Sequence, residues 1–179
     1  MGLTDNDFWN KYWDNVKIPC RLNPDFSFER CLDAAFSKIF RPDPGKKLVE
    51  IGAAPGKWMV YFHERYGYQV SGLDNSQQGI KKTKENLQYH RIYGKVYNAD
   101  FFQFQAPEKY DIVLSLGFIE HFENLDEVIG KHVSMLKPDG LLVLGVPNFR
   151  GVNYVIQKYA SEEILKKHNL LVMDKKFFE

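Results

Sequence analysis

The run Leu48-Val49-Glu50-Ile51-Gly52-Ala53-Ala54-Pro55-Gly56 constrains this chain more than any other stretch, because an apolar segment ends in a carboxylate and passes at once into a turn of small residues. Val49 and Ile51 carry the β-branched bulk of a buried strand. Gly52 and Gly56 let backbone amides approach a ligand with no Cβ in the way. Such a strand and turn predict a cofactor-binding crevice, and Glu50 discriminates among the cofactors.

Two familiar glycine-rich sites fail on spacing. The dinucleotide fingerprint wants glycine at relative positions one, three and six, which here are Gly52, Ala54 and Lys57. The phosphate-cradling loop wants four residues before its Gly-Lys and then Ser or Thr, whereas three residues separate Gly52 from Gly56-Lys57 and Trp58 follows. An acid at the strand end suits a cationic amine and repels a pyrophosphate. S-adenosylmethionine fits that charge.

Here the sequence resembles the class I S-adenosylmethionine-dependent methyltransferases. Their first motif, acid-any-Gly-any-Gly-any-Gly, is matched by Glu50 to Gly56 with Ala54 for the middle glycine, as in some branches. The stretch Tyr110 to Phe122, opening with Asp111 and closing with Glu120-His121, is similar to the fourth-strand motif of the small-molecule branch. Lys137-Pro138-Asp139-Gly140 and Pro147-Asn148 bracket a fifth strand as the family does. The likeness covers residues 45–150 well, the N-terminal helices loosely and the family's C-terminal third hardly at all.

The periodicity of the chain agrees with that resemblance. Thr4 is placed to cap a first helix with Phe8, Trp9, Tyr12 and Trp13 on one face, ending near Pro19. A second helix after Asn23-Pro24-Asp25 puts Phe28, Cys31, Leu32, Ala35, Phe36 and Ile39 on one side and stops at Arg41-Pro42-Asp43-Pro44-Gly45. Apolar runs at 48–51, 69–73, 96–98, 112–116 and 141–146 then alternate with helical stretches at 58–65, 77–89 and 125–136. This βαβ order predicts an α/β fold: a doubly wound, Rossmann-like parallel sheet with helices on both faces.

Length favours one domain over residues 1–179, divided into an N-terminal helical lid (1–44), a core sheet (45–150) and a truncated C-terminal helical region (151–179). On the resemblance, the family's C-terminal antiparallel strands are expected to be missing, with a helix only starting at Phe177-Phe178-Glu179. Leu141-Leu142-Val143-Leu144 is therefore expected at an open sheet edge that a second copy or another partner covers.

Candidate site residues fall at strand ends, where a doubly wound sheet binds ligands. Glu50, Gly52, Ala53, Ala54 and Gly56 form the turn. Asp74 ends the second strand, where a carboxylate can accept both ribose hydroxyls, with Asn75 and Ser76 following; Asp74 can equally be a solvated helix cap. The resemblance assigns Asp100 to the adenine amino group, Phe101 to the ring, and the backbone of Ser115, Leu116 and Gly117 to the methionine end. His121 is the candidate catalytic base, and the alternative is a brace for the following helix. Glu120 can help to hold a divalent metal, but the sequence identifies no second ligand, so no metal is expected. The aromatic face of the first helix is either a lid over cofactor and acceptor or a helix packed on the sheet.

Composition limits the partners. Near-balanced charge, +1 overall, gives no electrostatic drive toward nucleic acid or acidic membrane and favours a small-molecule acceptor. Two cysteines, in neither metal-ligand nor disulfide-framework spacing, point to a reducing cytoplasm, and no apolar run nears the roughly 20 residues that span a bilayer. The expected activity is methyl transfer from S-adenosylmethionine, leaving S-adenosylhomocysteine. A cofactor-binding protein without turnover is the alternative. An RNA ribose methyltransferase is a lesser one, because Leu116 and Gly117 stand where that group places a catalytic Asp.

Overall fold

A computed structural model describes residues 3–174. The helix start expected at Phe177-Phe178-Glu179 lies outside them. The elements are α1 (Asn6–Asp14), α2 (Ser27–Ile39), β1 (Lys47–Ile51), α3 (Lys57–Tyr66), β2 (Gln69–Asp74), α4 (Gln77–Tyr89), β3 (Lys95–Asn98), β4 (Tyr110–Leu116), α5 (Leu125–Val133), β5 (Leu136–Gly145), α6 (Val152–Ala160) and α7 (Glu162–Lys166). Short 3-10 turns cover Ile119–His121 and Leu170–Met173. No helix among these residues is long and apolar enough to cross a membrane.

The five strands are all parallel in the order β3-β2-β1-β4-β5. Strand order reverses between β1 and β4, and the crevice at their carboxyl ends is where such a sheet binds ligands. Alternation along β1 divides the core. Leu48 joins Phe36, Trp58, Met59 and Phe62 on the side of α2 and α3, while Val49 and Ile51 join Leu73, Val113, Leu125 and Val128 on the side of α5. Both faces are covered, so apolar residues of β1 point to both of them, without the strict polar alternation of a half-exposed strand.

Several local expectations are corrected. The cap of α1 is Asp5, whose side chain accepts from the Phe8 amide at 2.8 Å. Thr4 instead accepts from the Trp9 indole N–H at 3.0 Å, and the helix stops at Asp14, well before Pro19. Of the face expected to bury α2, only Phe36 is buried; Phe28 and Ile39 are 63% and 57% exposed. The ladder of β4 and β5 jumps from Tyr110–Leu136 to Ile112–Leu141, so Lys137 to Gly140 forms an excursion inside β5 rather than a turn before it. Lys137 anchors that excursion on Asp111 at 2.8 Å. As expected, β5 is an edge strand among the described residues.

Candidate active site

A cavity of about 540 Å³ opens at the carboxyl ends of β1, β2 and β4. Nine of the residues singled out from sequence line it: Gly52, Ala54, Asp74, Asn75, Asp100, Phe101, Leu116, Gly117 and His121. Topology brings these together across nearly seventy positions of chain, because parallel strands with right-handed crossovers deliver every strand end to one rim.

Gly52 explains why the turn needs its glycine. Its φ is +70°, and a Cβ there would lie 2.9 Å from the Phe118 ring. Asp74 is held at the rim by two amides, Ser76 to Oδ1 at 2.9 Å and Ala54 to Oδ2 at 3.2 Å. Burial raises its pKa, and the amides of Ser76, Ala54 and Asn75 oppose that rise. Asp100 fixes its loop by accepting from the amides of Phe102 and Gln103 at 2.9 and 3.0 Å. Phe101 is buried against Phe118 and His132, with ring centroids 5.1 and 4.8 Å away.

Five expected residues lie behind the wall. Ala53 is in the core on the α3 side, and Gly56 caps α3 with a φ of +83°. The Ser76 hydroxyl accepts from Gly79 at 3.0 Å and donates to Asn10 at 2.8 Å, and the Ser115 hydroxyl is buried with no hydrogen-bond partner among the described residues. Glu50 is the instructive case. It shares the parity of Leu48, so its carboxylate turns toward α3 rather than into the cavity, and Oε2 is buried without a hydrogen-bond partner. Burial drives its pKa well above 4.5; Lys57 and the Met59 amide oppose this, and Asp74 adds to it. The two acids sense one another, but only Asp74 lines the cavity.

Helix α1 forms the opposite wall through Trp9, Tyr12 and Trp13, with Thr4 and Asp5 before it. Asn10 ties it to α4 by accepting from Ser76 and from the Gln78 amide at 3.2 Å, while Gln78 donates to Asp14 at 2.5 Å. The preceding Leu3 amide donates to the His121 carbonyl at 2.7 Å. Trp9 meets the His121 ring edge-on at 5.2 Å.

The Glu120-His121 pair is buried in the turn after β4. Burial pushes the Glu120 carboxyl up to about 7 and the His121 imidazole down to about 4. His121 Nδ1 lies 2.8 Å from the Lys167 carbonyl, which can only accept, so Nδ1 carries the proton and Nε2 keeps a lone pair.

A family model described as a methyltransferase domain matches residues 26–171. The chain belongs to this methyltransferase family. A ubiquinone biosynthesis O-methyltransferase of Rhodopseudomonas palustris is 27% identical over 122 residues, which is 68% of this chain and 48% of that protein. The chain spans about half the length of the curated relatives it matches. Among solved structures, YjhP from E. coli superposes with a TM-score of 0.65 at 16% identity, over 93% of this chain and 67% of that one. A Thiobacillus denitrificans S-adenosylmethionine-dependent methyltransferase, crystallised with S-adenosylhomocysteine, gives 0.61 at 18% identity over 76% and 54%. These structural likenesses establish the fold.

Within this methyltransferase domain, sequence reading left several wall residues without a role. Phe118 and Phe122 stood in the fourth-strand motif with no function attached, Ile51 and Leu73 read as strand residues, and Phe102 carried no assignment. His168 carried no signal, because its proximity to Glu120 and His121 exists only after the C-terminal segment folds back.

Proposed function

We propose that this chain binds S-adenosylmethionine in the cavity and passes its methyl group to a small-molecule acceptor. Asp74 carries the reading: a carboxylate at the end of β2, aimed by two amides, with lone pairs left for a ligand beside the Gly52 turn. When bound, the cofactor presents a methyl carbon on a sulfonium sulfur, and in-line displacement by the acceptor leaves S-adenosylhomocysteine.

Asp74 accepts the ribose hydroxyls, Asn75 flanks them, and Ser76 supports both by capping α4. Asp100 and Phe101 take the adenine edge and face. The backbone of Leu116 and Gly117, backed by Ser115, borders the methionine end together with Gly52 and Ala54. Ala53 and Gly56 shape the turn from behind. Glu50 acts through that turn as a positioning residue, a cationic ligand above it drawing the buried carboxyl toward its charged form.

Positioning can supply roughly 7 to 11 kcal/mol of acceleration, against roughly 3 to 5 from a general base. An imidazole held near 4 is neutral at pH 7 and a weak proton acceptor, so we assign His121 to orienting the acceptor rather than deprotonating it. The aromatic walls from Trp9, Trp13, Phe118 and Phe122 favour a planar acceptor body. The Rhodopseudomonas relative is named an O-methyltransferase, and a phenolic hydroxyl is the acceptor we infer.

Titration calorimetry with S-adenosylhomocysteine tests the cofactor, and its release from S-adenosylmethionine with planar phenols tests the transfer. No binding defeats the reading, and binding without release across phenols and amines leaves a cofactor-binding protein. We read residues 1–44 as a lid on the single domain because α1 walls the cavity; unchanged cleavage near Lys11 on adding S-adenosylhomocysteine removes that reading. A cytoplasmic setting is supported by the free thiols of Cys20 and Cys31, and pairing of copies by the apolar β5 edge. Sedimentation measures the pairing.

A further inference from the structure

We propose that Glu120, His121 and His168 form a binding site for a divalent transition-metal ion of the zinc type at the edge of the cavity. One ligand atom from each lies within 4.8 Å of the other two. They come from two segments, the turn after β4 and the connection after α7, which are clasped independently. The Asn169 amide donates to the Glu120 carbonyl at 2.6 Å, and its side chain donates to the Phe122 carbonyl at 3.0 Å.

The proton inventory of the three side chains carries the argument. His121 Nδ1 faces the Lys167 carbonyl at 2.8 Å, and His168 Nδ1 faces the Ile164 carbonyl at 2.5 Å. A carbonyl cannot donate, so both Nδ1 atoms bear hydrogen and both Nε2 atoms keep lone pairs. Backbone carbonyls orient metal-binding histidines in this way, fixing the tautomer and the ring plane. The two rings approach to 4.7 Å between centroids. Glu120 is 1% exposed, and its Oε2 is buried with no hydrogen-bond partner among the described residues. Three ligating side chains thus converge: both imidazoles keep a lone pair on Nε2, and the Glu120 carboxyl gives up its proton when an ion binds. An unpartnered buried carboxylate oxygen is costly, and a cation resolves all three at once.

The ligand set selects the ion. Two imidazoles and one carboxylate suit zinc and its transition-metal neighbours, whereas magnesium and calcium prefer oxygen donors. Bonds of roughly 2.0 to 2.2 Å in tetrahedral geometry need ligand atoms roughly 3.3 Å apart, so the triangle must tighten. His168, partly exposed and outside regular structure, is the member free to move. His121 also lines the cavity, so a fourth position would open toward the acceptor and take over the orienting role given to the His121 lone pair above.

Chelator-treated protein titrated with zinc alone, followed by calorimetry, tests the proposal without cofactor or acceptor, so its outcome is separate from that of methyl transfer. One equivalent is expected to bind, and cobalt in its place is expected to show the visible absorption of a tetrahedral site. His168→Ala and Glu120→Gln should each weaken zinc at least about tenfold, with circular dichroism of the metal-free variants matching wild type. His63→Ala, far from the cluster, should leave binding unchanged. Absence of zinc binding, affinity equal in both cluster variants and wild type, or a preference for magnesium overturns the proposal. Should His168→Ala lose its fold, the isosteric Glu120→Gln decides alone.

Discussion

The β1–α3 unit and the β5–α6 unit occupy the same kind of sheet, yet one is sealed and the other is not. In β1, Leu48, Val49 and Ile51 are at most 1% exposed, and α3 buries six of its ten residues. In β5, Leu141 is 40% exposed and no residue is fully buried, while α6 buries none. A strand between two neighbours and beneath helices on both faces gains from every apolar side chain, whereas an edge strand gains from half of them. The cavity sits against the sealed unit, where a rigid wall can hold a carboxylate and a turn in fixed relation.

The largest effect should come from breaking the ligand side of the sealed unit. Asp74→Ala would remove the two charge-assisted hydrogen bonds proposed for the ribose, worth roughly 1.5 to 3 kcal/mol each, so S-adenosylhomocysteine affinity should fall by roughly 10² to 10⁴ in calorimetry. A loss of under threefold would remove Asp74 from the cofactor site. Asp74→Asn, which keeps the turn's shape, should lie between the two.

Next come the cores. Phe62 is fully buried and packs on Phe36, Phe40 and Tyr68 with centroids 5.3, 5.1 and 6.1 Å away. Its replacement by Ala should cost about 3 to 5 kcal/mol in urea unfolding, against roughly 1 for Leu141→Ala in β5. Equal costs would show that the contrast between the two units is only geometric.

The same contrast governs what the sequence reveals. The Gly52 turn, α4 from Gln77 to Tyr89 and the run of strands were legible because local pattern and burial coincide there. Strand parity was legible too: counting from Leu48 shows that Glu50 faces away from Ile51, so its turn toward α3 could have been read. The exposed face of α2 was not, since Phe28 and Ile39 look apolar whether or not anything covers them. Nor was the excursion inside β5, which depends on Tyr110 pairing with Leu136. His168 lay beyond reach because its neighbours are 47 and 48 positions earlier in the chain.

A third perturbation has the opposite sign. Burial raises the folded-state pKa of Glu50 above its ordinary value of 4.5, so the native chain holds the proton to higher pH than the unfolded chain does. The associated stability is fully present below about pH 4.5 and is lost as pH rises through the raised pKa. Glu50→Gln keeps the shape and removes the ionisation, so it should be more stable than wild type at pH 8, with the difference fading below pH 4.5. Its affinity for S-adenosylmethionine should drop at the same time. Denaturant melts at both pH values check the first expectation, and a variant less stable at pH 8 would mean that Lys57 outweighs the burial.

The smallest effect belongs to α6, and it separates an idle surface from a covered one. Tyr159 is 87% exposed and Val155 52%, so in dilute solution Tyr159→Ala should change stability by no more than about 0.5 kcal/mol. Large apolar side chains at such exposure contribute almost nothing unless another surface removes them from water. Repeating the melts over a hundredfold range of protein concentration distinguishes the cases. A cost that stays near zero throughout leaves α6 as solvated surface, whereas a cost that grows with concentration means a second copy packs there by mass action, and the unsealed unit of the monomer is sealed in the assembly.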